Sequence, residues 1–261
     1  MHFIVCIKQV PNTTNVQIDQ KTGTLKREGV ESIINPFDEY AIEEAIRLKE
    51  RFGGKTTVIT MGPPQAETAL REAMARGIDN AVLISDRAFA GADTWATAYT
   101  LASAIKALGD YDLIICGKQA TDGDTAQVGP GVAEMLDIPH VAYVKKIEDM
   151  DQECVKVERM MEDGYDLIEM PLPSLISVVK EINSPRLPSL RGMMNSKKAV
   201  IPHWAAADIK ADPKNIGLTG SPTQVMKIFS PTPRPGGVVL TGSPEEIALQ
   251  LIEKLKSTQL I

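Results

Sequence analysis

The first half of this chain alternates short apolar runs with longer amphipathic patterns, and that alternation constrains its fold more than any other feature. Apolar runs stand at residues 3–10, 56–61, 81–84 and 113–116. Between them, apolar residues recur at helical spacing: Phe37, Ala41, Ala45 and Leu48, then Ala66, Ala69, Leu70, Ala73 and Met74, then Trp95, Ala98, Leu101, Ala102, Ile105 and Leu108. Positions three and four apart share one helix face, whereas a short continuous apolar run suits a strand buried on both sides. Strands joined through helices by short links predict an α/β fold, a mostly parallel sheet with helices on both faces.

The punctuation agrees. Either Asn35 or Asp38 fits as the cap of the first helix; with Asn35 as N-cap, Pro36 falls at N1 and Asp38 at N3. Glu39, Glu43, Glu44, Arg47, Lys49 and Glu50 make the expected wet face, with Glu43 and Arg47 as an i,i+4 pair. Gly53, Gly54 and Gly77 end helices, and Asp93 is placed to cap the third. The polar stretch after Pro11 predicts a small hairpin turning at Thr22, Gly23 and Thr24.

Beyond Pro139 the rhythm changes. Extended candidates at 141–147, 154–160, 165–169 and 174–179 have no helices between them, which predicts antiparallel strands added at a sheet edge, with a turn at Glu162, Asp163 and Gly164. After Lys180 periodicity is lost, apart from one short extended segment at 225–229. So long a stretch without regular structure suits an arm lying on a partner. Ser243, Pro244 and Glu246 then give an N-cap, a proline at N1 and a glutamate at N3, opening a helix with Ile247, Ala248, Leu251, Ile252 and Leu255 on one face. Such a helix needs a surface to pack on, a partner subunit or its own core. The expected organisation is a nucleotide-binding domain over 1–182, a recognition loop and partner-wrapping arm over 183–242, and a docking helix over 243–261.

The loop from Gly117 to Ala133 follows a strand and opens a helix marked by Val128, Val132, Met135 and Leu136. In an open α/β sheet ligands bind outside the carboxyl ends of the strands, and the free N–H groups of a helix start favour phosphate. Gly117, Gly123 and Gly129 allow close backbone approach, while Asp122, Asp124, Thr125 and Gln127 offer polar groups. The loop reads either as a nucleotide site or as an ordinary polar connection with Asp122 and Asp124 as local caps. Lys8 and Asn35 lie at other element ends that face the same crevice; alone, one is a solvated lysine and the other a cap. Neither a P-loop nor a GxGxxG fingerprint is present.

Other chemistries find little support. A net charge of -6 argues against duplex nucleic acid, and five Phe, five Tyr and two Trp supply few stacking platforms for single strands. Cys6, Cys116 and Cys154 form no disulfide framework, and His2, His140 and His203 lack metal-ligand spacing, so no metal site is expected. No group suggests nucleophilic catalysis. Redox chemistry would have to come from a bound cofactor. The apolar run at the N-terminus is too short for a signal peptide and none approaches a membrane span, so a soluble cytoplasmic protein is expected.

Over essentially its full length the sequence resembles the beta subunit of electron transfer flavoproteins. The resemblance lies in Ile7-Lys8-Gln9-Val10-Pro11, Asn35-Pro36-Phe37-Asp38 followed by Ala41-Ile42-Glu43-Glu44-Ala45, Gly117-Lys118-Gln119-Ala120, the loop from Asp122 to Ala133, the segment from Pro171 to Val179, and Ser184-Pro185-Arg186-Leu187 leading to Lys197-Lys198. It implies a Rossmann-like domain in a heterodimer whose alpha subunit holds an FAD and is clasped by the C-terminal arm. It implies an adenine nucleotide lined by Cys6, Asn35, Pro36, Phe37, Asp38, Met61, Asp122, Gly123, Asp124, Thr125, Ala126, Gln127, Val128, Gly129, Pro130 and Ala133, with Lys8 nearby.

The family has two main classes. In one, this subunit holds structural AMP and the complex shuttles single electrons from acyl-CoA dehydrogenases. In the other, it holds a second FAD that takes hydride from NADH. One electron then passes through the alpha-subunit FAD to an acyl-CoA dehydrogenase and one goes to ferredoxin or flavodoxin, an NADH-dependent oxidoreductase activity that exists only within the complex. Gly123 and Ala126 replace longer polar side chains of the AMP-binding class and resemble the FAD-binding, bifurcating class. Leu190 matches a leucine of the family's partner-recognition loop; with Leu187, Met193 and Met194 it makes the expected docking patch for the dehydrogenase, or else these residues cover the sheet edge. Arg191 and Gly192 depart from the ordinary pattern. Outside the redox readings, the same fold suits a nucleotide-binding or sensing module.

Overall fold

A computed structural model describes residues 1–12, 32–226 and 236–261. The chain forms two compact units, Met1–Met226 and Lys227–Ile261.

In the first unit, β1 (His2–Cys6) is entirely buried. A short ribbon, β2 (Gln9–Pro11) against β3 (Ser32–Ile34), leads into α1 (Pro36–Phe52). The single strand expected at 3–10 is thus divided. The reason is local: the Lys8 N–H donates to the Asp38 carboxylate at 2.7 Å instead of continuing a ladder. Next come β4 (Lys55–Met61), α2 (Glu67–Arg76), β5 (Asn80–Ile84), α3 (Thr94–Leu108), β6 (Leu113–Gly117) and α4 (Val128–Leu136). The remaining strands are β7 (His140–Met150), β8 (Cys154–Met160), β9 (Tyr165–Pro171) and β10 (Ser174–Val178); α5 (Leu190–Lys198) and β11 (His203–Trp204) complete the unit. The hairpin expected around Thr22 lies outside the described residues, and the segment expected at 225–229 runs past them.

The main sheet has nine strands in the order β11-β5-β4-β1-β6-β10-β7-β8-β9. From β11 to β7 all neighbours are parallel; β8 and β9 add antiparallel at one edge. The period of two along each strand divides the core. Phe3 and Val5 of β1, with Leu113 and Ile115 of β6, pack under α1 and α2. Ile4, Cys6, Ile114 and Cys116 point the other way, under α3 and α4. The fold is Rossmann-like, with helices on both faces.

Four expectations are corrected. First, β10 is not an antiparallel edge strand: it inserts parallel between β6 and β7, and all of it is buried. Its run Leu175-Ile176 suits burial on both sides, but the partner strand lies outside any local pattern. Second, Glu43 and Glu44 of the expected wet face are buried, 3% and 8% exposed. The chain leaving β10 covers them: Arg186 grips Glu43 through its Nε at 2.9 Å and Asn183 donates to Glu44 at 2.9 Å. The Glu43–Arg47 pair forms as expected, at 2.9 Å.

Third, Trp95 is 52% exposed rather than in the α3 stripe. It sits in the first turn, where Asp93 caps the helix by accepting from the Trp95 and Ala96 N–H groups. Fourth, the stretch after Lys180 contains regular structure. Ser189 caps α5 by accepting from the Gly192 N–H at 3.0 Å, and Arg71 of α2 donates to the carbonyls of Ser196 and Ala199 at its other end. Those two anchors hold a helix whose apolar residues, Leu190, Met193 and Met194, are exposed rather than packed in the core.

In the second unit, α6 (Pro244–Ser257) opens on a full capping box between Ser243 and Glu246, as expected. Among the described residues no helix is long and apolar enough to cross a membrane.

Candidate functional site

The chain moves outward from β1 through β4 to β5, then returns to the other side of β1 as β6. The loops leaving β1 and β6 therefore diverge, and the crevice between them opens at the carboxyl ends of both strands.

Asp38 organises the floor of this crevice. It lies in the first turn of α1 and is 5% exposed. Its carboxylate accepts from the Lys8 N–H at 2.7 Å and from the Gly117 N–H, tying the ends of β1 and β6 to α1. Burial pushes its carboxyl up to about 7, against the Lys8 N–H, the Asn35 side chain and the Gly117 N–H, which pull it down. Gly117 is required by the close approach: a Cβ there would lie 2.3 Å from Asp38 Oδ1 and 2.7 Å from the Phe37 carbonyl carbon.

Asn35 occupies the N-cap position, but its side chain caps nothing. It reaches across the crevice instead, donating to the Gln119 carbonyl at 2.8 Å and accepting from the Thr121 N–H at 3.1 Å. It thereby holds the start of the loop. Further along, Asp124 accepts from the Gln119 amide, and its own N–H donates to the Ala120 carbonyl at 2.8 Å. Asp124 and Ala126 both adopt left-handed backbone, with φ of 54° and 56°. A non-glycine residue there costs about 1–2 kcal/mol. Gly123 has open space where a side chain would project.

Lys8 Nζ pairs with Asp122 Oδ1 at 2.6 Å. With 49% and 25% of the two side chains exposed, the pair is screened and adds less than about 1 kcal/mol. It borders a cavity of about 160 Å³ lined by Lys8, Gln9, Ser32, Met61, Gln65 and Asp122. Gln127 stands at the N-cap of α4 without a side-chain cap bond, and Val128, Gly129 and Pro130 form the first turn. Thr125 is exposed with Asp122 and Gln127, whereas Ala133 is fully buried in the core under α4. Cys6 and Cys116 lie in register beneath the crevice. The neighbouring Cys6 thiol and burial push the Cys116 thiol up.

The structure thus gathers Lys8, Asn35, Phe37, Asp38, Met61 and the 122–130 loop around one crevice. Pro36 is exposed at the start of α1. Sequence reasoning missed Gln119 and Thr121 as the partners of Asn35; their adjacency to the glycine-rich loop was the available signal. A shallower cavity of about 410 Å³ between α2 and α5, lined by Asp79 and Arg191 among others, lies away from these strand ends.

The residues present fit a nucleotide. They combine an uncapped helix start, a glycine under open space and a cavity beside Lys8 and Met61.

A family model for the electron transfer flavoprotein domain matches residues 22–209. The chain belongs to the electron transfer flavoprotein family, as a beta subunit. The electron transfer flavoprotein subunit beta of Thermoanaerobacterium thermosaccharolyticum is 52% identical over 262 residues, spanning 100% of both chains. Subunit CarD of the caffeyl-CoA reductase-Etf complex of Acetobacterium woodii is 50% identical over 263 residues, again 100% of both. Protein FixA of Azotobacter vinelandii is 44% identical over 265 residues, covering 98% of this chain and 94% of the relative. The general role of this electron transfer flavoprotein subunit is therefore flavoprotein electron transfer.

Proposed function

We propose that this chain binds an FAD in the crevice between β1 and β6 and, with an alpha subunit carrying its own FAD, takes hydride from NADH and divides the electrons. One goes to an acyl-CoA dehydrogenase through the alpha subunit and one to ferredoxin or flavodoxin. The observation that carries this reading is the open space over Gly123, next to the small side chain of Ala126. It leaves room for a ligand to continue beyond its first phosphate, where AMP would stop. The high identity to a subunit of the caffeyl-CoA reductase-Etf complex supports an acyl-CoA-type partner.

The flavin supplies the hydride and single-electron chemistry when bound. The chain's own residues place it. Asn35 and Asp38 fix the relation of α1 to the loop, and the first turn of α4 faces a phosphate. No proton donor is needed for hydride acceptance. On this reading the arm and α6 dock on the alpha subunit. Leu187, Leu190, Met193 and Met194, which are 88%, 78%, 38% and 63% exposed, form the dehydrogenase-docking patch on and before α5. The complex works in the cytoplasm.

The test is nucleotide content. The chain is copurified with its alpha subunit, reconstituted with excess FAD and denatured, and the released nucleotides are quantified. Two FAD and no AMP per heterodimer is the expected result. One FAD and one AMP would make the crevice a structural AMP site and the complex a one-electron shuttle.

A further inference from the structure

Lys118 follows β6 directly, and its N–H donates to the Val178 carbonyl at 2.9 Å, so its backbone is fixed at the carboxyl edge of the sheet. Its Nζ lies 5.2 Å from the centre of the Tyr143 ring and 5.9 Å from that of Phe37. Both are within cation–π range. Tyr143 reaches this position at a cost. It has φ of 63°, a left-handed conformation that an aromatic residue rarely adopts. It does so where the register between β7 and β10 shifts, and its N–H donates to the Ser177 hydroxyl at 3.3 Å. Such bulges re-aim side chains beside functional sites.

The neighbouring lysine behaves differently. Lys8 is neutralised by Asp122, whereas among the described residues Lys118 forms no ion pair and its ammonium group meets aromatic rings instead. Two aromatic faces hold its ammonium group without cancelling its charge. The residue is half-buried, its ammonium lies between the start of α1 and β7, and its backbone is one residue from the glycine that packs on Asp38 and four residues before Asp122.

We propose that Lys118 is a cofactor-facing cation, held in place by the rings of Phe37 and Tyr143, that neutralises a phosphate of the nucleotide bound in the crevice. The inference rests on the nucleotide reading above and holds for FAD and AMP alike, since both carry a phosphate next to the ribose. The bulge in β7 then has a purpose: it positions Tyr143 to keep the lysine extended over the strand ends rather than free in solvent.

The test compares ADP, AMP and adenosine by titration calorimetry on the full chain, as wild type, Lys118→Gln, Lys118→Arg and Tyr143→Leu. A charge-assisted contact at a half-buried site is worth about tenfold or more in affinity. Lys118→Gln should weaken ADP and AMP by that factor and leave adenosine within about twofold. Lys118→Arg should restore most of the loss, and Tyr143→Leu should produce part of it. Thermal melts of each variant show whether the fold is kept. If wild type binds ADP and Lys118→Gln binds it equally well, or loses adenosine to the same extent, the phosphate role is overturned and the nucleotide reading survives. If wild type binds none of the three, both fall.

Discussion

Replacing Asp38 by Asn tests how the floor of the crevice is held. The carboxyl is buried, and its rise from an ordinary 3.8 to about 7 corresponds to about 4 kcal/mol at 1.36 kcal/mol per unit. Between these two values the folded chain keeps a proton on Asp38 that the unfolded chain has released. The wild type therefore loses stability as pH rises through that window, and the loss levels off above about 7. An asparagine does not titrate. It carries a separate, pH-independent cost: two backbone donors, from Lys8 and Gly117, meet one carbonyl oxygen and one NH2. One unpaired buried donor costs about 1–3 kcal/mol. The two effects separate in urea unfolding of the full chain followed by circular dichroism across this pH window. Asp38→Asn should be the less stable protein at the acid end. The difference should then shrink by several kcal/mol and vanish or reverse above about pH 7. A difference constant to within about 0.5 kcal/mol would refute the reasoning: Asp38 would then be ionised throughout, with the backbone N–H groups outweighing burial.

Two further substitutions address the scaffold. Arg186→Ala should cost about 2–3 kcal/mol at neutral pH, because the Glu43 carboxylate, which has only 4% of its side chain exposed, is left with Arg47 on Oε1 and no side-chain partner on Oε2. Burial pushes that carboxyl up, but hydrogen bonds from Arg186 and Arg47 outweigh it and hold it below the usual range. The stability it contributes is present above the ordinary 4.5 and is lost as pH falls, so the penalty of Arg186→Ala should shrink in acid when measured by urea unfolding. Gly117→Ala should destabilise by at least about 2 kcal/mol and weaken AMP binding in calorimetry, because the new methyl meets backbone at Phe37 and Asp38. Gly123→Ala, which projects into open space, should leave the melting temperature within about 2 °C.

The parts of the fold visible in the sequence are those fixed by local pattern. The buried runs of β1, β4, β5 and β6 and the Ser243–Glu246 capping box are settled within a few residues. What escaped depends on distant chain. β10 reads as one more extended segment, and nothing in Ser174–Val178 says that it pairs with β6 rather than β9. Glu43 and Glu44 read as solvent-facing because their partners, Arg186 and Asn183, come from more than a hundred residues later. The site follows the same rule. The loop, Asn35 and Lys8 could be picked out from residue type and from resemblance to the family. That Asn35 turns its side chain to Gln119 and Thr121 rather than capping its own helix is a property of the assembled crevice. Tyr143 carried no signal at all, since a register shift has no local signature.

The place of β10 also bears on how the chain can be made. β1, β4, β5 and β6 emerge from a ribosome in an order that lets each join the growing sheet. β7 cannot join next, because its neighbour toward β6 is β10, synthesised only after β8 and β9. Until residue 178 has left the tunnel, β6 presents an open edge of Leu, Ile, Ile and Cys to solvent. Such an edge is a template for unwanted pairing. A nascent chain stalled before that point should depend on chaperones, and a fragment cut there should aggregate, although nearly all of the crevice residues have already been built.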